Sequence, residues 1–315
     1  MKTILVTGGA GFIGSNLTME LQRRYPDSRI TVVDDFRSGS FKNLQGYNGD
    51  LVCKDISRMD WDSQFGSRRF DAAFHLASIS DTTIDDQQKM IHDNVEGFRR
   101  MLTFLGGKGN HFTPVVYASS AATYGTSEAL MAEGQSPSPS NAYAFSKVQL
   151  DNLARSCWQR FPNWKITGLR YFNVYGRNEA HKFEAASMIY QLYLQMKNGE
   201  RPRIFRSGQQ KRDFVYIKDV VNMTILAMNS RNNIYNCGSG QTKSFNGIVS
   251  YLNDRLGTRL VTDYIDNPYS FYQPHTEADM TLAKEELGFE PSYAHTGISE
   301  YITSLESTIR ISNKE

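Results

Sequence analysis

The sequence predicts an α/β protein: a Rossmann-type, doubly wound parallel sheet with a smaller α/β substrate-binding lobe. Two observations carry that expectation. Short apolar runs rich in β-branched residues alternate with longer stretches of helical periodicity, the rhythm of βαβ units. The first junction in that rhythm, "VTGGAGFIGSNL", sets Gly8, Gly11 and Gly14 between an apolar strand and a helix. At such a turn the free amides and positive end of the helix favour an anion, and missing Cβ atoms let it come close.

Taken in order, Ile4-Leu5-Val6 begins the first strand, and Phe12, Ile13 and Leu17 recur at helical spacing after the glycines. A dinucleotide pyrophosphate is the candidate ligand of this turn. The second strand, "RITVVDDF", ends in Asp34, about 20 residues past the last motif glycine, where a carboxylate can accept ribose hydroxyls. Asp34 would repel a 2′-phosphate, whereas Arg37 and Lys42 are close enough in sequence to attract one, so NAD and NADP both stay open. Further strands are read in "GDLVCKDI", "FDAAFHLAS", "PVVYASSA" and "KITGLRYFNVYG". From about Phe183 to Ser207 the pattern becomes an amphipathic helix and a Gly-, Pro- and Arg-rich loop, and mostly helices follow "YNCGSG". Residues 1–175 are therefore expected to form the dinucleotide-binding domain, with a return near 212–240, and residues 176–315 mainly the substrate-binding lobe. The Pro/Ser-rich "MAEGQSPSPSN" is either a pocket rim or an ordinary surface connection.

Chemistry is concentrated in "YASSAATYG" and "YAFSK". Tyr143 and Lys147, four residues apart, share one helix face. A phenol with a pKa of about 10 is a poor base at neutral pH, but an ammonium beside it and a positive nicotinamide favour the phenolate. Ser120, at a strand end, would orient a substrate alcohol toward Tyr143. The crowded Arg201, Arg203, Arg206, Lys211 and Arg212 suggest a nucleotide diphosphate partner, with Arg212 the first candidate. His181 is read as pocket or surface, and His75 as a structural residue rather than a catalyst.

Together these motifs resemble the extended short-chain dehydrogenase/reductase superfamily, and the resemblance covers almost the whole chain. Within it, "YASSAATYG", "LRYFNVYG", "EAHK", "KRDFVYIKDV" and "YQPHTEADMT", in this order, are similar to the nucleotide-sugar epimerases that act at C6 of an ADP-heptose. The resemblance implies a tightly bound NADP or NAD held by Gly8, Ala10, Gly11, Phe12, Ile13, Gly14, Asp34, Asp35, Asp55 and Ile56. It adds His75, Leu76, Ala77, Ser78, Asn94, Tyr143, Lys147, Val174 and Lys182 to that set. It implies catalysis by Ser120, Tyr143 and Lys147 with Lys182 as a second acid/base, and substrate contacts from Ser120, Asn173, Phe205, Arg212 and Tyr272. A homo-oligomer is implied as well. The chain departs from the usual pattern at "GRN" (Gly176 to Asn178), at Glu184 and at Gln191, where the local sugar contacts would differ. Rival readings are a UDP-sugar 4-epimerase, a nucleotide-sugar dehydratase and a cofactor-binding sensor without turnover. A dehydratase needs an acid beside the serine, where this chain has Ala121 and Ala122; a sensor would lack the tyrosine or lysine.

Composition fits a folded soluble protein. At 315 residues and 40% hydrophobic content the chain can bury an ample core. With 35 basic against 33 acidic residues, net +2, nothing points to nucleic acid or an acidic membrane as partner. Cys53, Cys157 and Cys237 form no CxxC pair, so buried free thiols and no metal site are expected. The apolar run near the N-terminus is too short for a signal-peptide core and no run reaches membrane-spanning length, which makes the cytoplasm the expected compartment.

Overall fold

The computed structural model describes residues 1–80, 86–107, 112–126, 129–268 and 273–312. Its main layer is built from β1 (Thr3–Thr7), β2 (Arg29–Val33), β3 (Asp50–Val52), β4 (Ala72–His75), β5 (Val115–Ser120), β6 (Ile166–Tyr171) and a late strand introduced below. The helices between them are α1 (Phe12–Arg24), α2 (Trp61–Phe65), α3 (Gln87–Gly106) and α4 (Ala142–Arg160). These strands run continuously apolar because both sheet faces are covered, and the period-2 alternation decides which cover each residue meets. Ile4 and Val6 of β1, with Val116 of β5, join the core beneath α1, whose Leu17 and Leu21 pack there. Leu5, Val115 and Tyr117 point the other way, into a second core with Phe98 and Met101 of α3 and Leu150 and Ala154 of α4.

The predicted strand "KITGLRYFNVYG" is two strands. It breaks at Phe172, whose amide bonds to Cys237 O, and resumes as β7 (Asn173–Tyr175) in another sheet. Then come α5 (Met188–Lys197), β8 (Arg203–Phe205), β9 (Lys211–Tyr216), α6 (Ile217–Leu226) and β10 (Asn233–Cys237). The chain ends with β11 (Thr242–Ser244), α7 (Phe245–Leu256), β12 (Asp263–Ile265), α8 (Thr281–Leu287) and α9 (Ala294–Ser312). Strand β10 completes the seven-stranded parallel sheet, in the order β10-β6-β5-β4-β1-β2-β3. A small sheet has the order β11-β9-β7, and β12 pairs with β8. The order reverses between β1 and β4, and ligands of such sheets bind beyond the strand ends at that switch.

One expectation is corrected here. Cys237 is buried and Cys157 half-buried, but Cys53 is exposed. It follows β3, an edge strand whose outer side pairs with no strand among the described residues and whose Leu51 is itself 49% exposed.

Candidate active site

A cleft of about 1610 Å³ opens at the switch point and runs on into the small lobe. Since one drug-sized ligand occupies roughly 300–1,000 Å³, the cleft has room for two ligands side by side.

Its floor is the glycine turn, where the glycines answer to different demands. Gly8 has φ +73°, and a Cβ there would lie 2.4 Å from Ala77 N. A Cβ on Gly14 would lie 2.0 Å from Gly8 O. Both are therefore required by the chain packing on itself rather than by a ligand. Gly11 also borders the cleft, and a Cβ there would have only Gly8 O, at 3.3 Å, within 4 Å. No side chain caps α1, so the amides of its first turn are available to an anion.

At the end of β2, Asp34 is 8% exposed and accepts the amides of Ala10 and Phe36, each at 2.9 Å. Burial raises its pKa, and the two amides oppose the rise. Asp35 and Asp55 border the cleft, but both bind Arg37, at 2.5 and 2.6 Å, and Asp93 takes the same guanidinium at 2.6 Å. Lys42, the other cation considered for a 2′-phosphate, lies outside the cleft lining. Gly8, Phe12, Ile13, Gly14, Ile56, Leu76, Ala77, Ser78 and Asn94 also border the cleft. Asn94 splints the wall, accepting Ile79 N at 2.7 Å and donating to Ser146 Oγ at 3.0 Å. Two expected cofactor contacts do not reach the cleft. Ala10 is fully buried and acts through its amide on Asp34. His75 is fully buried, with Nδ1 2.9 Å from Thr7 Oγ1 and its ring stacked on Phe98. Burial holds His75 down at about 3, so it is neutral and structural.

Above the turn, β5 ends at Ser120 and α4 begins at Ala142, capped by Asn141, whose side chain accepts Ala144 N at 2.8 Å. That cap starts the helix just before Tyr143, so Tyr143 and Lys147 both border the cleft beside Ser120. The "MAEGQSPSPSN" loop meets the cleft only at its end, through Ser140 and Asn141; Met131 is buried and bridges to Ala278. Burial pushes the Tyr143 hydroxyl up, while its hydrogen bond with Ser120 lowers it. Lys147, 2% exposed, donates to Ala118 O at 2.9 Å and lies 5.6 Å from the centroid of the Tyr143 ring. Burial brings Lys147 down to about 8, opposed by the charge of Asp151. Behind it Asp151, fully buried, pairs with Arg170 at 3.1 Å and accepts the Tyr117 hydroxyl at 3.0 Å. The sequence reading missed Asp151 and Arg170. Asp151 follows Lys147 by one helical turn, a local signal, but its pairing with β6 is a long-range fact.

On the small-lobe side Asn173, Val174, Lys182, Phe205 and Arg212 border the same cleft, and Tyr272 lies outside the described residues. Arg212 is 8% exposed, with its guanidinium 5.7 Å from the centroid of Phe245. The basic group does not converge as expected. Pairing of β8 with β12 draws Arg201 to the carbonyls of Val261 and Thr262, Arg203 to Asp263 and Arg206 to Asp266. Of the five, Arg203 and Arg212 reach the cleft. Lys182 lies on a short helical turn, Ala180–Ala185, with Nζ 5.7 Å from the centroid of Phe12. His181 borders the cleft and sits 3.1 Å from the Asn43 amide. Gln191 spends its amide on the carbonyls of Glu184 and Ala186. Among the described residues no group of three or more His, Cys, Asp or Glu is placed to hold a metal, and no helix is long and apolar enough to cross a membrane.

Known proteins are similar to this chain in sequence and fold. An ADP-L-glycero-D-manno-heptose-6-epimerase of Brachyspira hyodysenteriae is 34% identical, over 97% of this chain and 98% of that one. The crystal structure of the Helicobacter pylori ADP-L-glycero-D-manno-heptose-6-epimerase is similar at a TM-score of 0.88 and 38% identity, covering 97% of this chain and 96% of that. The Thermotoga maritima UDP-glucose 4-epimerase, solved with UDP-glucose, gives the same TM-score at 26% identity, covering 98% and 99%. Residues 4–238 match one family. Since that span takes in the whole large sheet from β1 to β10, with Ser120, Tyr143 and Lys147 inside it, the chain is an enzyme and belongs to the NAD dependent epimerase/dehydratase family.

Proposed function

We propose that this enzyme is an isomerase that interconverts ADP-D-glycero-D-manno-heptose and its L-glycero epimer by transient oxidation at C6. The observation that carries the reading is that Ser120, Tyr143 and Lys147 share one cleft with Lys182, so two proton-handling groups serve one sugar. The full-length likeness to two heptose epimerases supports the choice of sugar. Ala121 and Ala122, beside Ser120, disfavour a dehydratase, which needs an acid there.

The dinucleotide fits the residues present: Gly11 leaves a cradle that a branched side chain would fill, at the uncapped start of α1. In this reading Gly11, Phe12, Ile13 and Gly14 hold the pyrophosphate, Asp34 the adenosine ribose and Lys147 the other ribose. NAD, when bound, supplies an acceptor for the C6 hydrogen as hydride and returns it, so it ends unchanged and has no need to leave. Ser120 orients the C6 hydroxyl and Tyr143 takes its proton as the carbonyl forms. Lys182 gives a proton to the oxygen once the sugar has turned its other face, and Tyr143 and Lys182 are then reset through solvent. Arg212 binds the diphosphate of the nucleotide sugar.

We infer NAD rather than NADP. A 2′-phosphate would add a charge of about −1.5 to −2 to a rim holding Asp34, Asp35, Asp55 and Asp93, whose nearest guanidinium, Arg37, already serves three of them. Exposed Lys54 adds one charge to that rim, and from outside the cleft lining Lys89 pairs with Asp93 at 2.6 Å and Arg58 with Asp55 at 3.7 Å; the repulsion therefore rests on Asp34, which has no cation on it among the described residues. NADP is expected to bind at least about tenfold more weakly than NAD, a difference of about 1.4 kcal/mol. Equilibrium dialysis of the cofactor-stripped protein measures it, and equal affinities would refute the inference.

The reaction is tested by proton NMR with ADP-D-glycero-D-manno-heptose, and in parallel with UDP-galactose, both in heavy water. Conversion of the heptose with its original hydrogen kept at C6 is the expected result. Solvent deuterium at C6 would overturn the redox route, and turnover of UDP-galactose alone would make the enzyme a 4-epimerase. We also infer a cytoplasmic homo-oligomer. Three free cysteines suit a reducing compartment, and Phe145, 43% exposed on α4, offers apolar surface to a second copy.

A further inference from the structure

The twelve residues from Gly176 to Ser187, which carry Lys182 between β7 and α5, are closed by one side chain. Glu179 is 1% exposed. Its Oε1 accepts Gly176 N at 3.0 Å, at the start of the segment, and its Oε2 accepts Ser187 N at 2.6 Å, at the end. The Ser187 hydroxyl adds a third bond to Oε1 at 3.0 Å. Burial pushes the Glu179 carboxyl up, and these donors, with the nearby Tyr301 hydroxyl, oppose the rise. A buried carboxylate surrounded by donors is worth more than an exposed one, because each donor would otherwise be left unpaired.

Two further observations point to Lys182 as what this clamp serves. The Lys182 amide bonds to the Glu179 carbonyl at 2.9 Å, so the turn carrying Lys182 is wound directly on the clamp. The next residue, Phe183, has φ +49° and ψ −119°, a conformation non-glycine residues avoid, and is 80% exposed, so its own packing does not hold it there. Strain of this kind persists only where the surroundings impose it. Here Glu179 closes the ends while Gln191 donates to Glu184 O at 2.9 Å and Ala186 O at 2.7 Å just beyond Phe183.

We propose that Glu179, assisted by Gln191, is a positioning residue that fixes Lys182 in the cleft by clamping both ends of its loop. Its catalytic consequence rests on the reading of Lys182 as the second acid/base; its geometric consequence does not. In Glu179→Gln the new amide nitrogen must face an N–H donor, which opens one end of the clamp.

Two readouts test the proposal. The first is the rate of tryptic cleavage after Lys182 in the folded, NAD-loaded protein, followed by mass spectrometry. Glu179→Gln is expected to raise it at least about tenfold, and an unchanged rate would overturn the proposal. The second is kinetic: Glu179→Gln lowers kcat at least about tenfold with KM within about twofold, and the double variant with Lys182→Ala is no slower than Lys182→Ala alone. Multiplying losses would overturn it, since Glu179 would then act through more than Lys182. If Glu179→Gln does not fold, Gln191→Ala takes both measurements, with the same results overturning the proposal. Normal activity in Lys182→Ala would instead refute the two-base reading, leaving the cleavage result to judge the clamp.

Discussion

Tyr143→Phe is expected to lower epimerisation by about 10²–10⁴-fold in both directions, the range a positioned acid/base contributes, while the protein stays folded with NAD bound. The substitution removes one hydroxyl, which Ser120 helps to hold down against burial, and leaves the ring where Lys147 faces it. Burial alone would make that hydroxyl a poor base, because it raises the phenol and lowers Lys147 to about 8. What offsets burial is local: the Ser120 bond on the oxygen, and the Asp151 charge that supports the Lys147 ammonium. Turnover by NMR, with cofactor content determined after denaturation, separates a lost proton transfer from a lost cofactor. Near-normal turnover would remove Tyr143 from the mechanism.

How much of this was legible follows from how far apart the partners lie. The continuous apolar run Ile4-Leu5-Val6 and the i, i+4 spacing of Tyr143 and Lys147 are local patterns, and each met the element it predicted. The break at Phe172 was not legible, because Cys237, 65 residues later, takes its amide and redirects the chain. Arg37 looked like a partner for a phosphate because nothing in "DDFRSG" shows that Asp55 and Asp93 arrive beside it. The arginines near residue 203 were misread for the same reason, since β12 supplies their partners from 60 residues downstream. Glu179 is the first residue of the "EAHK" that drew attention to Lys182, yet its role needs Gly176 and Ser187 together. Charged residues reveal little from sequence when their neutralising partners are set by topology.

The glycine turn gives the other large effect, and its three glycines should respond differently. Gly14→Val puts a Cβ 2.0 Å from a backbone oxygen of Gly8, and neither backbone can move without dismantling the start of α1. Overpacking of a core typically costs about 1–3 kcal/mol, and a clash between two fixed backbones belongs above that range. Gly14→Val is therefore expected to lose NAD binding together with a large fall in Tm. Gly11→Val is expected to separate the two. Its φ of −74° and ψ of 178° suit a β-branched residue, and its Cβ would meet Gly8 O at 3.3 Å, a tight contact that needs a shift of a few tenths of an ångström rather than the ångström or more that Gly14 would need. The fold should hold, with a fall in Tm much smaller than that of Gly14→Val, while the branch fills the space where the pyrophosphate meets the first helical amides. NAD affinity should fall by about 100-fold or more, equivalent to about 2.7 kcal/mol. Thermal melts with and without NAD, beside a direct titration, measure both quantities on each variant. A Gly11→Val protein that binds NAD like the parent would mean that the pyrophosphate does not lie on this turn.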